Sequence, residues 1–567
     1  MQVKNFSRQS WRSILKWGDP NYFNPPKKRL VEYMKENLGV TDEDISSPHL
    51  PGLDKVKADK KPGLDEKTLK AIKDMVGEEN VDISDYERVR HSVGYTYIDI
   101  VKLRLEDIKS LVDCVVYPRD ENDVVKILDF CNKNKIAVIP FGGRSGVSRG
   151  LEPMKGGISL DLTRHMNKVI GVNEVNMSAT VQPGIFGPDY EEYLNNYKTP
   201  YSPTGYTCGH FPQSFEYSTV GGWVVTRGAG SLSTGYGKIE DMVLGLRFAT
   251  PKGMIVIKDY PRAATGPDLR HIIIGSEGAL GVLTEVTLKI WRFRPSNRVM
   301  FSFLFKDWDN TVTCMREIMQ GEFGVPHMFR ISDAEETSIA FMVEGITNTP
   351  IDKILEKRGY VDGKRCLMLA ATEGDRDRGK LIKKKAKALA KKHGAISLGS
   401  IAVKGWYKHR YADPYLREDL MDMKVMTDTL ETSCTWDNIM NVWSGMREVV
   451  KARPNSISMI HASHAYENGA NLYVIFISRI KPGDEVDDYL EFQSAIIDAI
   501  IKNGGSLSHH HGVGKMLAPW YEDYVGKTSM ELLRAIKEQL DPNNIMNPGG
   551  TLALDFKGKK GKPLPVK

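Results

Sequence analysis

From residue 113 onward, hydrophobic and polar positions follow one another in blocks that read as secondary structure. A short apolar run, Cys114 to Tyr117, leads into a segment of helical spacing (about Asn122 to Asn134) and then a second apolar run, IAVIP. That run ends in FGGRSGVSRG, Phe141 to Gly150. Strand-like runs follow at ISLDL, at NMSATVQPG and at MVLGLRFATPKGMIVI, the last a hairpin turned by Pro251-Lys252-Gly253. The stretch from Pro212 to Val243 has an apolar, strand-like start and is then dense in glycine, with Ser218, Thr219, Ser231, Ser233 and Thr234 interleaved, so it cannot form a long helix. IIIGSEGALGVLTEVTLKI places Gly275, Gly278 and Gly281 before an alternating strand.

A second region begins near Pro295. It reads as strand (Met300 to Phe305), helix (about Asn310 to Met319) and strand (Met328 to Ile331), and the order then repeats at Cys366 to Ala371, Arg376 to His393 and Ala395 to Leu398. Repeated βαβ order on an antiparallel sheet is a ferredoxin-like layout. Helical segments are expected up to Lys451, then strands at ISMIHASHAY and ANLYVIFI. A helix (Asp488 to Asn503) delivers the chain to GGSLSHHHGVGK, and a last helix (Ser529 to Leu540) precedes DPNNIMNPGG. The expected class is α+β, divided as residues 1–105 (N-terminal helical extension), 106–296 (a ligand-binding domain), 297–505 (a cap or substrate domain) and 506–567 (a segment closing back on the first domain).

Composition narrows the chemistry. At 567 residues the chain exceeds a single core, and 41% hydrophobic with 26% charged residues is ordinary for a globular protein. A net charge of +6, with basic residues spread out apart from the tail lysines Lys557, Lys559, Lys560, Lys562 and Lys567, argues against nucleic acid as partner. Six scattered cysteines without a CxxC pair suit buried thiols in a reducing compartment. No apolar run approaches the roughly 20 residues of a membrane span, and a cytoplasmic location is expected. Trp11, Ile14, Leu15 and Trp17, interleaved with Arg12 and Lys16, read either as an element packing on the body or as one touching a membrane surface.

Three glycine-rich loops in one domain suit a long, phosphate-bearing ligand, because glycine lets backbone N–H groups approach oxygens closely. The first loop is GGxSG and not GxGxxG, so a dinucleotide-binding Rossmann site fits poorly. His509-His510-His511, between Ser508 and Gly512, offers proton donors and acceptors near neutral pH. Arg417 has a fork suited to phosphate or carboxylate.

IPFGGRSGVSRG, FEYSTVGGWVVTR, GSEGALGVLTE, ETSCTW and SLSHHHGVGK followed by DPNNI resemble the alkylglycerone-phosphate (alkyl-dihydroxyacetone-phosphate) synthase family, FAD flavoproteins of the vanillyl-alcohol oxidase and p-cresol methylhydroxylase fold. The resemblance runs from about Trp11 to Pro548. It implies a two-subdomain FAD-binding domain with a cap over the flavin; no histidine in the loops points to covalent attachment, so non-covalent FAD is expected, and a homodimer with peripheral membrane contact is expected as well. It places the cofactor against Pro140, Phe141, Gly142, Gly143, Arg144, Ser145 and Gly146, against Pro212, Ser214, Tyr217, Ser218, Gly221 and Gly222, against Val225, Thr226, Arg227 and Gly228, and against Glu277, Gly278, Gly281, Val282 and Leu283. The implied reaction exchanges the acyl group of acyl-dihydroxyacetone phosphate for a fatty alcohol through an adduct at flavin N5. Tyr473 matches the proton-transferring tyrosine, Arg417 the arginine at the anionic headgroup and Arg330 a further arginine needed for activity; the three histidines orient the substrate.

Two departures stand out. Arg144 occupies a loop position that is commonly smaller, and His461 and His464 stand where animal synthases have arginine and glutamine. His461 and His464 are therefore assigned to the substrate, with no metal. The competing reading is an FAD-dependent D-2-hydroxyacid dehydrogenase (lactate, glycolate, 2-hydroxyglutarate), with His461, His464, His510 and His511 as metal ligands. Against it, Tyr473 and His510 occupy positions where such enzymes carry a histidine and a glutamate.

Overall fold

The computed structural model describes residues 17–19, 22, 24–46, 58, 60–105 and 107–563. A first small sheet contains β1 (Val81–Asp82), β2 (Cys114–Val116), β3 (Val138–Phe141) and β4 (Ile158–Asp161), in the order β1-β2-β4-β3, with β2, β4 and β3 parallel. The helix Glu121–Asn134 covers it. Asp120 caps the helix by accepting from the Asp123 N–H, and Val124, Ile127, Leu128 and Cys131 form the buried stripe. A second, antiparallel sheet contains β5 (Val169–Asn173), β6 (Ser178–Val181), β8 (Val243–Thr250), β9 (Gly253–Ile257) and β10 (Val282–Lys289), in the order β5-β6-β10-β8-β9; β7 (Tyr206–Thr207) pairs separately with β11 (Trp291–Arg292). The hairpin at Pro251-Lys252 forms as the pattern predicts.

The cap is a single eight-stranded antiparallel sheet. Its strands are β12 (Val299–Phe305), β13 (Met328–Ser332), β14 (Cys366–Thr372), β15 (Ile396–Gly399), β16 (Val425–Thr435), β17 (Ser456–Ala462), β18 (Ala465–Tyr466) and β19 (Gly469–Arg479), ordered β15-β12-β14-β13-β17-β19-β16 with β18 on β19. The two βαβ repeats thus make one ferredoxin-like order, β15-β12-β14-β13, which the sheet extends with β17, β19 and β16. Along Arg376–Lys392 only Gly379, Ile382, Ala386 and Ala390 are buried, and the lysines face solvent.

Three expectations need correction. The start of the 212–243 stretch is not a strand but a 3-10 turn, Phe215–Tyr217, and a short helix, Val220–Val225, whose first turn Thr219 caps through the Gly222 N–H. The segment expected to be helical up to Lys451 contains β16, whose residues are buried on both faces and so show no alternation. Residues 60–105 are not a separate extension: β1 pairs with β2, and the buried Arg88 donates to the Val112 carbonyl. Trp11, Ile14 and Leu15 lie outside the described residues; Trp17 is buried against Tyr95 and Tyr217. At the other end, Val138 donates to the Ile545 carbonyl and Asn547 donates back to Val138, which closes the chain on the first domain.

Candidate functional site

The three glycine-rich loops converge. A methyl group on Gly143 would sit 2.2 Å from the Tyr217 carbonyl oxygen, and one on Gly142 would sit 2.5 Å from Thr219 Oγ1, so these glycines admit the second loop. A methyl on Gly278 would press on Pro140 of the first loop at 3.0 Å, and the Glu277 N–H donates to Val225 at 2.9 Å. Each loop also holds a non-glycine residue in the left-handed region: Arg144 at φ 60° and Arg149 at 57° in the first, Arg227 at 55° in the second and Glu277 at 49° in the third. A methyl on Gly146, by contrast, would meet nothing within 4 Å, which marks open space. Around this junction Ser231 Oγ, Ser276 Oγ, the Tyr95 hydroxyl and both ring nitrogens of His210 are buried without a protein partner. Close-packed glycines beside open space, ringed by unsatisfied polar atoms, fit a long polar cofactor such as FAD.

The histidine loop is fixed by its backbone. Glu431 on β16 accepts from the N–H groups of His509 (2.7 Å), His510 (3.2 Å) and His511 (3.0 Å) and from the Ser508 hydroxyl (2.6 Å). Ser508 Oγ takes the Gly512 N–H, and Glu277 takes those of Val513 (2.8 Å) and Gly514 (2.7 Å). The Ser148 carbonyl takes the N–H groups of Lys515 and Met516. Two buried carboxylates, one from each domain, thus hold a single loop. Their acidities diverge. Burial pushes Glu277 up to about 7. Burial also raises Glu431, but its contacts with His510 first, and with His511 and His509, outweigh this and hold it well below the carboxylate range.

Over this loop the cap lays Tyr473. Its ring stacks on His461 (centroids 4.8 Å) and runs parallel to His510 (6.0 Å), with His511 edge-on at 5.5 Å. Its hydroxyl donates to Thr429 Oγ1 at 2.9 Å, and burial pushes the phenol above its ordinary range. His511 is driven down to about 4 by burial, so it is a neutral base at physiological pH. Arg330 on β13 pairs with Glu336, and its Nη2 meets His461 Nδ1 at 3.0 Å. Burial raises the Glu336 carboxyl, but Arg330 and His461 outweigh it and bring it to about 2. Arg330 therefore reaches Tyr473 only through His461. Arg417 donates to the Tyr95 carbonyl at 2.8 Å and lies 3.5 Å from Asp428, with its guanidinium 4.9 Å above the Tyr95 ring and its Nε buried without a partner. The Tyr95 N–H binds the Gly146 carbonyl at 2.8 Å, and Arg144 also lies over the Tyr95 ring, so Arg417 flanks the first glycine loop.

Among the described residues, the His/Cys/Asp/Glu cluster that could hold a metal is His464, His509 and His510, without His461 or His511. Within it His509 Nδ1 and His510 Nδ1 lie 3.0 Å apart, a hydrogen-bond separation. Both ring nitrogens of His464 are already engaged, with Ser463 Oγ and the Gly230 carbonyl, each at 3.1 Å. The geometry is that of a hydrogen-bonded cluster.

Sequence reasoning missed Glu431, His210, Lys238 and Tyr466. Glu431 lies inside the quoted ETSCTW motif, and His210 follows the Cys208-Gly209 turn; neither shows a local pattern. Lys238 donates to the His509 carbonyl at 2.6 Å, and the Tyr466 hydroxyl meets His509 Nε2 at 2.7 Å.

Two family models match the chain: an FAD binding domain over residues 112–258 and the C-terminal domain of FAD linked oxidases over residues 294–551. An alkyldihydroxyacetonephosphate synthase of Dictyostelium discoideum is 33% identical over 477 residues, 81% of this chain and 76% of its own. A solved alkyldihydroxyacetonephosphate synthase structure, 28% identical, has a TM-score of 0.80 and covers 95% of this chain and 98% of that one. A p-cresol methylhydroxylase structure with substrate bound, 16% identical, has a TM-score of 0.63 over 88% of this chain and 99% of its own, and so shares the fold.

Proposed function

The chain belongs to the alkyldihydroxyacetonephosphate synthase family, and we propose that its site exchanges the acyl group of acyl-dihydroxyacetone phosphate for a fatty alcohol, with FAD as cofactor. The observation that carries this reading is the meeting of Tyr473 from the cap with His510 and His511 from the closing segment, beside three loops suited to FAD. Bound non-covalently, FAD supplies a ring nitrogen through which acyl and alkoxy groups can be exchanged without net oxidation.

The protein's own groups hold and move the proton. Tyr473 stays a phenol at neutral pH, oriented by Thr429, and with His511 as neutral acceptor it handles the proton at carbon 1 of the substrate. Arg417, at the first glycine loop with an unpaired Nε, receives the phosphate. His461 is oriented by Arg330 and Glu336, and His464 by Ser463 and Gly230; both line the substrate side. A metal-dependent hydroxy-acid dehydrogenase draws less support, because its ligand set does not assemble here.

The reading includes a homodimer, a cytoplasmic location and peripheral contact with a membrane. Among the described residues no helix is long and apolar enough to cross a membrane. The amphipathic helix Pro350–Lys357, with Ile351 67% and Ile354 53% exposed beside Lys353 and Lys357, suits an anionic lipid surface instead. Light scattering and vesicle flotation test these points.

The central test is Tyr473→Phe. The variant retains its flavin absorbance and loses fatty-alcohol incorporation by at least about 100-fold. Full activity in the variant, or keto-acid formation from D-lactate by the wild type, would refute the proposal.

A further inference from the structure

The hydrogen bonds around the histidine loop fix where its protons sit. Glu431 Oε2 lies 3.4 Å from His510 Nδ1, and a ring lone pair turned toward an ionised carboxylate would be repelled, so His510 carries a hydrogen on Nδ1. That nitrogen is also 3.0 Å from His509 Nδ1, a separation at which one of the pair donates and the other accepts. With the hydrogen on His510, His509 Nδ1 accepts. Burial, together with the neighbouring His464 and the Lys238 ammonium, keeps His509 well below its ordinary range, so it is neutral, and with Nδ1 accepting its hydrogen is on Nε2. That N–H points at the Tyr466 oxygen at 2.7 Å. Tyr466, held as a phenol by burial, accepts from His509.

We propose that Tyr466 and Glu431 are positioning residues that act from opposite ends of one chain, Glu431···His510→His509→Tyr466, to fix His510 with Nδ1 protonated and its Nε2 presented as the base. His510 thereby resembles the carboxylate-held histidine of a hydrolase triad, where the partner on one ring nitrogen makes the other basic. Both contacts fall on Nδ1, which leaves Nε2 outside the chain, on a ring that lies parallel to that of Tyr473 at 6.0 Å. The inference rests on the synthase reading for its consequence but not for its geometry. Neither residue touches substrate in this scheme: Tyr466 acts through His509, and Glu431 through His510.

The test is nitrogen-15 NMR of histidine-labelled holoenzyme. Two-bond spectra at neutral pH are expected to show hydrogen on His510 Nδ1 and on His509 Nε2. In Tyr466→Phe, His509 loses its Nε2 acceptor, so both rings should become mixtures of tautomers. Its kcat for acyl exchange should fall about 10- to 100-fold with KM nearly unchanged. Glu431→Asp should recover part of the activity that Glu431→Gln loses. Hydrogen on His509 Nδ1 in the wild type would overturn the proposal, and because that measurement needs no turnover it stands even if the synthase reading fails. Tyr466→Phe with unaltered tautomers and unaltered kcat would overturn it too. So would one equivalent of divalent metal bound to the purified wild type and lost in His509→Ala, since the two Nδ1 atoms would then be ligands.

Discussion

Glu277 offers a prediction in which sign and size both follow from the structure. Its carboxyl is buried and raised from 4.5 to about 7, with burial as the cause and the N–H groups of Val513 and Gly514 opposing it. A group whose folded pKa lies above its unfolded one gives stability that is complete below the unfolded value and lost as pH rises through the folded value. The shift corresponds to about 3 kcal/mol, given up between about pH 4.5 and about pH 7.5. Glu277→Gln keeps the shape and cannot ionise, so its local cost, about 1–3 kcal/mol for one mismatched N–H, does not change with pH. Some of this is already lost at pH 5, so the wild type should exceed the variant in stability by about 2.5 kcal/mol more at pH 5 than at pH 8. Urea unfolding followed through released-flavin fluorescence measures both proteins at both pH values, and the other titrating groups cancel in the difference. A wild-type-to-variant difference that is the same at the two pH values would refute a buried, raised Glu277.

Other expectations bear on the cofactor loops and on acid stability. Gly143→Ala would drive a methyl to 2.2 Å from the Tyr217 carbonyl. Such overpacking against backbone costs about 1–3 kcal/mol or more, and the variant should purify with most of its flavin missing by absorbance. His327, brought to about 4 by burial with its Nδ1 accepting the Glu373 N–H, favours the neutral ring in the folded state. Its contribution is complete above about pH 6.5 and lost as pH falls toward about 4, so His327→Gln should narrow the gap between unfolding midpoints at pH 7 and pH 5.

Much of the fold was legible because its elements bury one face. The stripe Val124, Ile127, Leu128 and Cys131 announces a helix, and the cap strands appear at their predicted places because apolar runs of strand length are bounded by turns. β16 was not legible: covered on both sides, TDTLETSC has no period to read. The start of the 212–243 stretch was misread because its apolar residues are spaced equally well for a strand or for one helical turn capped by Thr219. At the site, Tyr473 and the histidines are proposed from their chemistry and their resemblance, and the structure brings their rings together. Glu431 could not be proposed that way, since its role depends on N–H groups 78 to 80 positions further along the chain. The Arg330–His461 contact likewise exists only because β13 pairs with β17.

The single loop held by Glu277 and Glu431 has a thermodynamic corollary. The cap holds the N–H groups of His509 to His511 and the FAD-binding domain those of Val513 and Gly514 on the same loop, so neither can release it without leaving a buried carboxyl and its donors unpaired. Whatever tightens the glycine-rich junction around a cofactor therefore raises the free energy needed to lift the cap, and a ligand held under the cap tightens cofactor binding by the same factor. Flavin retention thus becomes a gauge of cap occupancy, readable on a protein that has not turned over once.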